Sequence, residues 1–185
     1  MQAVEQAGDQ AGIVAAARRT TVSALAVLLL TTAHHLYGAY VYATPWRTHV
    51  AHVSVVAAAA LVASFVVVRR RAGTAAGEVA FWSILLITLA LPVLGIGLFE
   101  GGYNHVVKVA LYYGHGSSGL MVRLFPPPTY ELPNDALFEI SGVIQLPLGA
   151  LAGRHLILLG RQRKRLATLT PTPADGAVAA EGGGR

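Results

Sequence analysis

The chain has 185 residues, 54% of them hydrophobic and only 12% charged, about half the charged fraction of an ordinary soluble domain. That composition points to a membrane protein; the net charge of +5 does not argue for nucleic acid, because the arginines stand in short clusters beside apolar runs, as topology signals do. The absence of cysteine excludes disulfides, thiolate ligands, a thiol nucleophile and thioether-linked haem, so any metal must be held by His, carboxylate or amide groups.

Residues 1–19 read as a cytoplasmic N-terminal tail or short surface helix closed by Arg18 and Arg19. A first span is predicted over 20–43, long enough to cross about 30 Å of hydrocarbon at about 1.5 Å per residue. Two arginines before an apolar run that ends in Thr31, Thr32 and Ala33 also fit a cleavable export signal. The apolar character continues for about ten residues past Ala33, which favours a retained span.

Thr44, Pro45 and Trp46 break the first span, and a second runs over 49–68 to the Arg69, Arg70, Arg71 cluster. So short a link makes the pair an antiparallel hairpin. After a small-residue link at 72–78, a third span covers 79–99, with a kink expected at Pro92. The Gly101-Gly102 pair is expected to interrupt the helix, and 103–113 to resume as a short interfacial helix in a long extracytoplasmic connection. Asn134 or Asp135 is the N-cap predicted for the fourth span, 136–159, which contains Pro147. Residues 161–185 are basic and then, from Leu166, too poor in large apolar groups to order themselves. The fold class is thus all-α: four antiparallel transmembrane helices in a bundle, spanning 20–160.

Nine basic residues fall at one end of these spans (Arg18, Arg19, Arg69, Arg70, Arg71, Arg161, Arg163, Lys164 and Arg165) and three at the other (Arg47, Lys108 and Arg123). The positive-inside rule puts both termini in the cytoplasm, in the plasma or inner membrane. Tyr40, Tyr42, Trp46, Tyr103, Tyr112, Tyr113 and Tyr130 then form an outer aromatic belt, with Phe81 and Trp82 at the inner boundary. The inner halves of the spans hold few polar groups and no internal repeat is visible, so a conducting channel or transporter is not expected.

The chemistry-bearing residues collect at the outer end. Six of the seven His, all but His155, lie there with Glu100, Glu131, Asp135 and Glu139. Ionisable groups within a bilayer are costly enough that they face the protein interior or water and take partners. His35, His52, Glu100, His105 and Glu139 are the predicted metal ligands, with Tyr103, Asn104, His34 and His49 supporting them. His35 shares a stripe with Thr31, Gly38 and Tyr42, so it is preferred over His34. Two His with one or two carboxylates and no sulfur suit zinc, iron, manganese or copper. The alternatives are a metal-free intramembrane pocket, with Glu100 and Glu139 as acid/base groups acting on a lipid-like or small apolar molecule, and an accessory subunit of a membrane complex. The partners implied are membrane lipids and a homo-oligomer or membrane-complex subunit.

Overall fold

Long apolar runs satisfy their backbone polar groups by coiling on themselves, and every regular element here is helical. The computed structural model describes residues 2–114, 118–127, 130 and 132–169, with no strand among them. His115, Glu131 and the chain beyond 169, expected to be solvated or disordered, lie outside the described residues. Four helical stretches are long and apolar enough to cross a membrane: Gln10–Val41, Pro45–Arg70, Ala75–Tyr113 and Ala136–Arg165. Leu29, Val55, Val56, Trp82, Leu98 and Ile140 on their outward faces are each more than half exposed. Soluble monomers rarely show apolar patches beyond a few hundred Å², so this surface fits an integral membrane protein.

Helix α1, Gln2–Val41, takes in the expected N-terminal tail. Its first turns are rich in Ala and Gln, good helix formers, and Ile13 and Ala17 are buried in the core. Ala43 takes a left-handed φ of 52°, and a 3-10 turn, Pro45–Arg47, leads into α2, Thr48–Arg70. The next link is shorter than expected, because Thr74 accepts a hydrogen bond from the Gly77 N–H at 3.2 Å and starts α3, Ala75–Thr88.

The expected break at Gly101-Gly102 does not occur. From Leu89 to Val107 the chain continues in π-helical turns and passes directly into α4, Lys108–Tyr113. The widening begins three residues before Pro92, whose missing N–H and bulky ring are incompatible with a regular α turn. The expected separate helix over 103–113 is therefore part of the third span. A distinct short helix, α5, Ser118–Leu124, lies in the connection that follows. Helix α6, Ala136–Leu169, is capped as expected: Asp135 Oδ1 accepts from the Phe138 N–H at 2.8 Å. It continues to Leu169, past the point where the chain was expected to become a tail.

Each long helix packs on the next in the chain, and α6 closes the set by packing on both α1 and the π segment. The last contact is backbone to backbone. A Cβ placed on Gly149 would stand 2.5 Å from the Gly97 Cα, and one on Gly97 2.7 Å from the Gly149 Cα, so small residues set the helix separation. Gly97→Ala or Gly149→Ala should therefore destabilise the fold by about 1–3 kcal/mol. Gly160→Ala, with no heavy atom within 4 Å of its new methyl, should be neutral or slightly stabilising. Thermal unfolding in detergent followed by circular dichroism distinguishes the two outcomes.

Candidate metal centre

The wide turns decide which groups of the third span meet. At 3.6 residues per turn, residues five apart point about 140° away from each other; hydrogen bonds that reach five residues bring them onto one face. Glu100, Asn104 and His105 consequently all point inward with Gly101. They face His34 and His35 of α1, and Phe138, Glu139 and Ser141 of α6.

Glu100 Oε1 is the hub. It lies 3.7 Å from His34 Nε2, 3.8 Å from His35 Nε2 and 3.5 Å from His105 Nε2. The other ring nitrogens of the three histidines are all engaged. His105 Nδ1 donates to Glu139 Oε2 at 2.8 Å, and His35 Nδ1 to the Thr31 carbonyl at 3.0 Å. His34 Nδ1 lies 2.9 Å from Ser141 Oγ. Ser141 spends its own proton on the Phe138 carbonyl at 2.9 Å, so its oxygen accepts and His34 Nδ1 donates. With Nδ1 of each ring engaged from behind, each Nε2 faces the same carboxylate oxygen.

A carboxylate ringed by three imidazoles calls for positive charge at its centre, from a bound cation or from a proton on His105, which bridges Glu100 and Glu139. His34 Nε2 is buried without a hydrogen-bond partner, the kind of unmet demand that buried polar groups rarely tolerate. Ligand atoms of His34, Glu100 and His105 lie within 4.8 Å of one another, so the group could hold a metal ion. The three distances from Glu100 Oε1 approach the roughly 3.4 Å separation of ligand atoms in a tetrahedral site with bonds near 2.0–2.1 Å. The Glu139-to-His105 hydrogen bond is the carboxylate partner that ligating imidazoles usually have.

The walls are equally specific. Phe138 stacks on His34 with ring centres 4.1 Å apart and meets His105 edge-on at 5.2 Å. His105 fits because Gly142 leaves room: a Cβ there would overlap the imidazole ring. Asn104 donates to Glu100 Oε2 at 2.7 Å and accepts from Lys108 Nζ at 3.5 Å. Lys108, which could have been a surface partner of Glu100, is instead buried and reaches it only through Asn104. A cavity of about 210 Å³ opens on the cluster, lined by His35, His49, Glu100, His105 and Glu139 together with Arg47, Lys108 and aromatic rings.

The structure thus brings together His35, Glu100, His105 and Glu139 of the expected ligands, with Asn104 and, at the rim, His49 beside them. It separates two others. His52 is exposed on α2 and makes no contact with the group, because the 3-10 turn directs the start of α2 so that Arg47, His49 and Val50, not His52, reach the cavity. Tyr103 is 42% exposed and stacks on Phe99 on the outward face. His34, ranked below His35 on the stripe argument, is the more deeply buried and the one with the unmet nitrogen. Phe138 carries no signal in the sequence, Ser141 reads there as glue between helices, Lys108 as a surface partner of Glu100, and Arg47 as a topology signal alone. For the two cations a signal existed, since they stand at the end of the spans where basic residues are scarce.

Comparison of the chain with protein-family models, curated proteins and solved structures finds no match. The site's meaning therefore rests on its own geometry. Gly142→Ala should destabilise the protein by about 1–3 kcal/mol through overlap with the His105 ring. In a double-mutant cycle with His105→Ala most of that loss should disappear. Additive losses in unfolding measurements would show that the ring is not what Gly142 accommodates.

Proposed function

We propose that this protein is a four-helix integral membrane protein that holds a transition metal through His34, Glu100 and His105, with His35 as a fourth donor. The helices alternate in direction, both termini are cytoplasmic and the site lies at the extracytoplasmic end, in the plasma or inner membrane. The observation that carries the reading is the set of three Nε2 nitrogens within 3.8 Å of one Glu100 oxygen, with His34 Nε2 buried and without a hydrogen-bond partner. Imidazole and carboxylate donors without sulfur suit zinc, iron, manganese or copper. Glu139 holds His105 in the tautomer that ligation needs.

A second reading keeps the same residues without a metal. His105 bridges two carboxylates beside a cavity, which suits proton transfer to or from a small bound molecule. The compactness of the three-residue group favours the metal reading over this one.

Elemental analysis of protein purified without chelators separates the two. Wild type should carry about one metal per chain, His34→Ala and Glu100→Gln should carry almost none, and Glu139→Gln should bind it about 10–100-fold more weakly. Equal trace metal in wild type and His34→Ala would sink the proposal. Protons compete for the imidazole nitrogens, so occupancy should fall as the solution is acidified and return on neutralisation. The chain has no native cysteine, so single cysteines at Thr74 and Gly119 report the topology cleanly. An impermeant thiol reagent should reach Gly119→Cys from outside the cell and Thr74→Cys only after permeabilisation.

A further inference from the structure

Two cations line the cavity beside the candidate metal centre, and neither has a counter-ion among the described residues. Arg47 is 6% exposed and Lys108 is 2% exposed. The guanidinium carbon of Arg47 lies 5.2 Å from the Trp46 ring and 5.3 Å from that of Phe138, and its Nε is buried without a hydrogen-bond partner. Lys108 Nζ stands 3.5 Å over the Tyr130 ring and has the Asn104 amide oxygen, at 3.5 Å, as its hydrogen-bond acceptor. Aromatic faces stabilise such a cation modestly, whereas withdrawing an ion from water costs more than they return unless it is paired.

The nearby carboxylates do not fill this role. Glu100 is committed to Asn104 and the three imidazoles, and Glu139 to His105. The two carboxylates match the two cations in number without pairing directly with them, so the proposed divalent metal would make the lining net positive among the described residues. An anion that enters the cavity would offset that charge and pair with both cations.

We infer that this cavity binds a phosphate group, held by the Arg47 guanidinium and the Lys108 ammonium next to the metal. A guanidinium offers a fork of donors matched to phosphate oxygens, and an ammonium adds a point charge with three donors. About 210 Å³ lies below the roughly 300–1,000 Å³ of pockets that enclose drug-sized ligands, so the space suits a phosphate group with little attached inside it. The source is either free phosphate or the headgroup of an anionic lipid whose chains stay outside. The inference rests on the metal reading only for its third positive centre; Arg47 and Lys108 supply the first two without it.

Calorimetric titration of the full-length protein in detergent with inorganic phosphate is the first arm. The second measures native-mass-spectrometry retention of phosphatidic acid against phosphatidylcholine. Wild type should bind in at least one arm; binding in the first identifies free phosphate as a ligand, and selective retention in the second alone identifies the lipid headgroup. Arg47→Gln and Lys108→Gln should each weaken that binding by about tenfold or more. Arg47→Lys, which keeps charge but not the fork, should fall between them and wild type. Arg163→Gln, in the pair with Glu78 elsewhere in the protein, should bind as wild type does. Should a glutamine variant not fold, Arg47→Lys and a ligand-induced rise in the wild-type melting temperature carry the test. No binding by wild type at millimolar phosphate or with phosphatidic acid overturns the inference, as does unchanged affinity in folded Arg47→Gln and Lys108→Gln. His34→Ala separates this inference from the metal reading, since it removes a metal ligand and leaves both cations. Metal lost with phosphate binding retained supports the inference. Metal retained in wild type with no phosphate binding overturns the inference alone.

Discussion

Glu100 and His105 must lie on one face of one helix, and the rest of the site depends on that. In a regular α-helix they would point well apart, and the carboxylate could not meet both His105 and the two imidazoles of α1. The π-helical turns from Leu89 to Val107 remove the conflict. They also carry Gly97 and Gly101 along the same inward face, where α6 approaches backbone to backbone. The wide segment thus positions the acid and draws in the helix that supplies Glu139, Ser141 and Phe138. Wide helical turns are often associated with function, because a regular helix would be the more stable local choice.

Around that face the hydrogen bonds run outward from the centre. Thr31, Ser141 and Glu139 each occupy one imidazole nitrogen from behind, so the other three nitrogens face Glu100. Such a buried group calls for a positive species, a metal ion or a proton on the bridging His105. In the same cavity the imbalance is reversed, with Arg47 and Lys108 buried against aromatic rings and without an ion-pair partner among the described residues. The two imbalances share one cavity. A cation at the first and an anion at the second would neutralise each other's surroundings.

Below this end the bundle is drier. Ser23 and His155 join α1 to α6 with a hydrogen bond of 3.1 Å, and Thr20 returns its hydroxyl to the Ala16 carbonyl. Gln145, one turn from Ser141, is fully buried with neither amide atom paired; its side chain lies against Gly101 at the floor of the cluster. Thr20, Ser23 and His155 are thus tied to the helix backbone or to one another, the usual way a bundle in lipid keeps polar groups, whereas the Thr21 and Thr88 hydroxyls, like the Gln145 amide, are buried without a hydrogen-bond partner.

The sequence by itself determined the all-helical class, the four apolar stretches, a cap at Asn134 or Asp135 and the gathering of His and acidic residues, Glu100 among them, at one end. Each of these follows from properties local to a few residues: run length against membrane thickness, the Asx preference at helix starts, the cost of a carboxylate in an apolar segment. Tertiary structure alone decided which neighbours join Glu100. Choosing His34 as well as His35, leaving His52 and Tyr103 outside and burying Arg47 and Lys108 all depend on the angular phase and depth of one helix against another. Phase along the third span is set by the width of its turns, and depth by where glycines let backbones touch. Neither quantity is carried by any single stretch of residues, so neither could be read before the helices were packed.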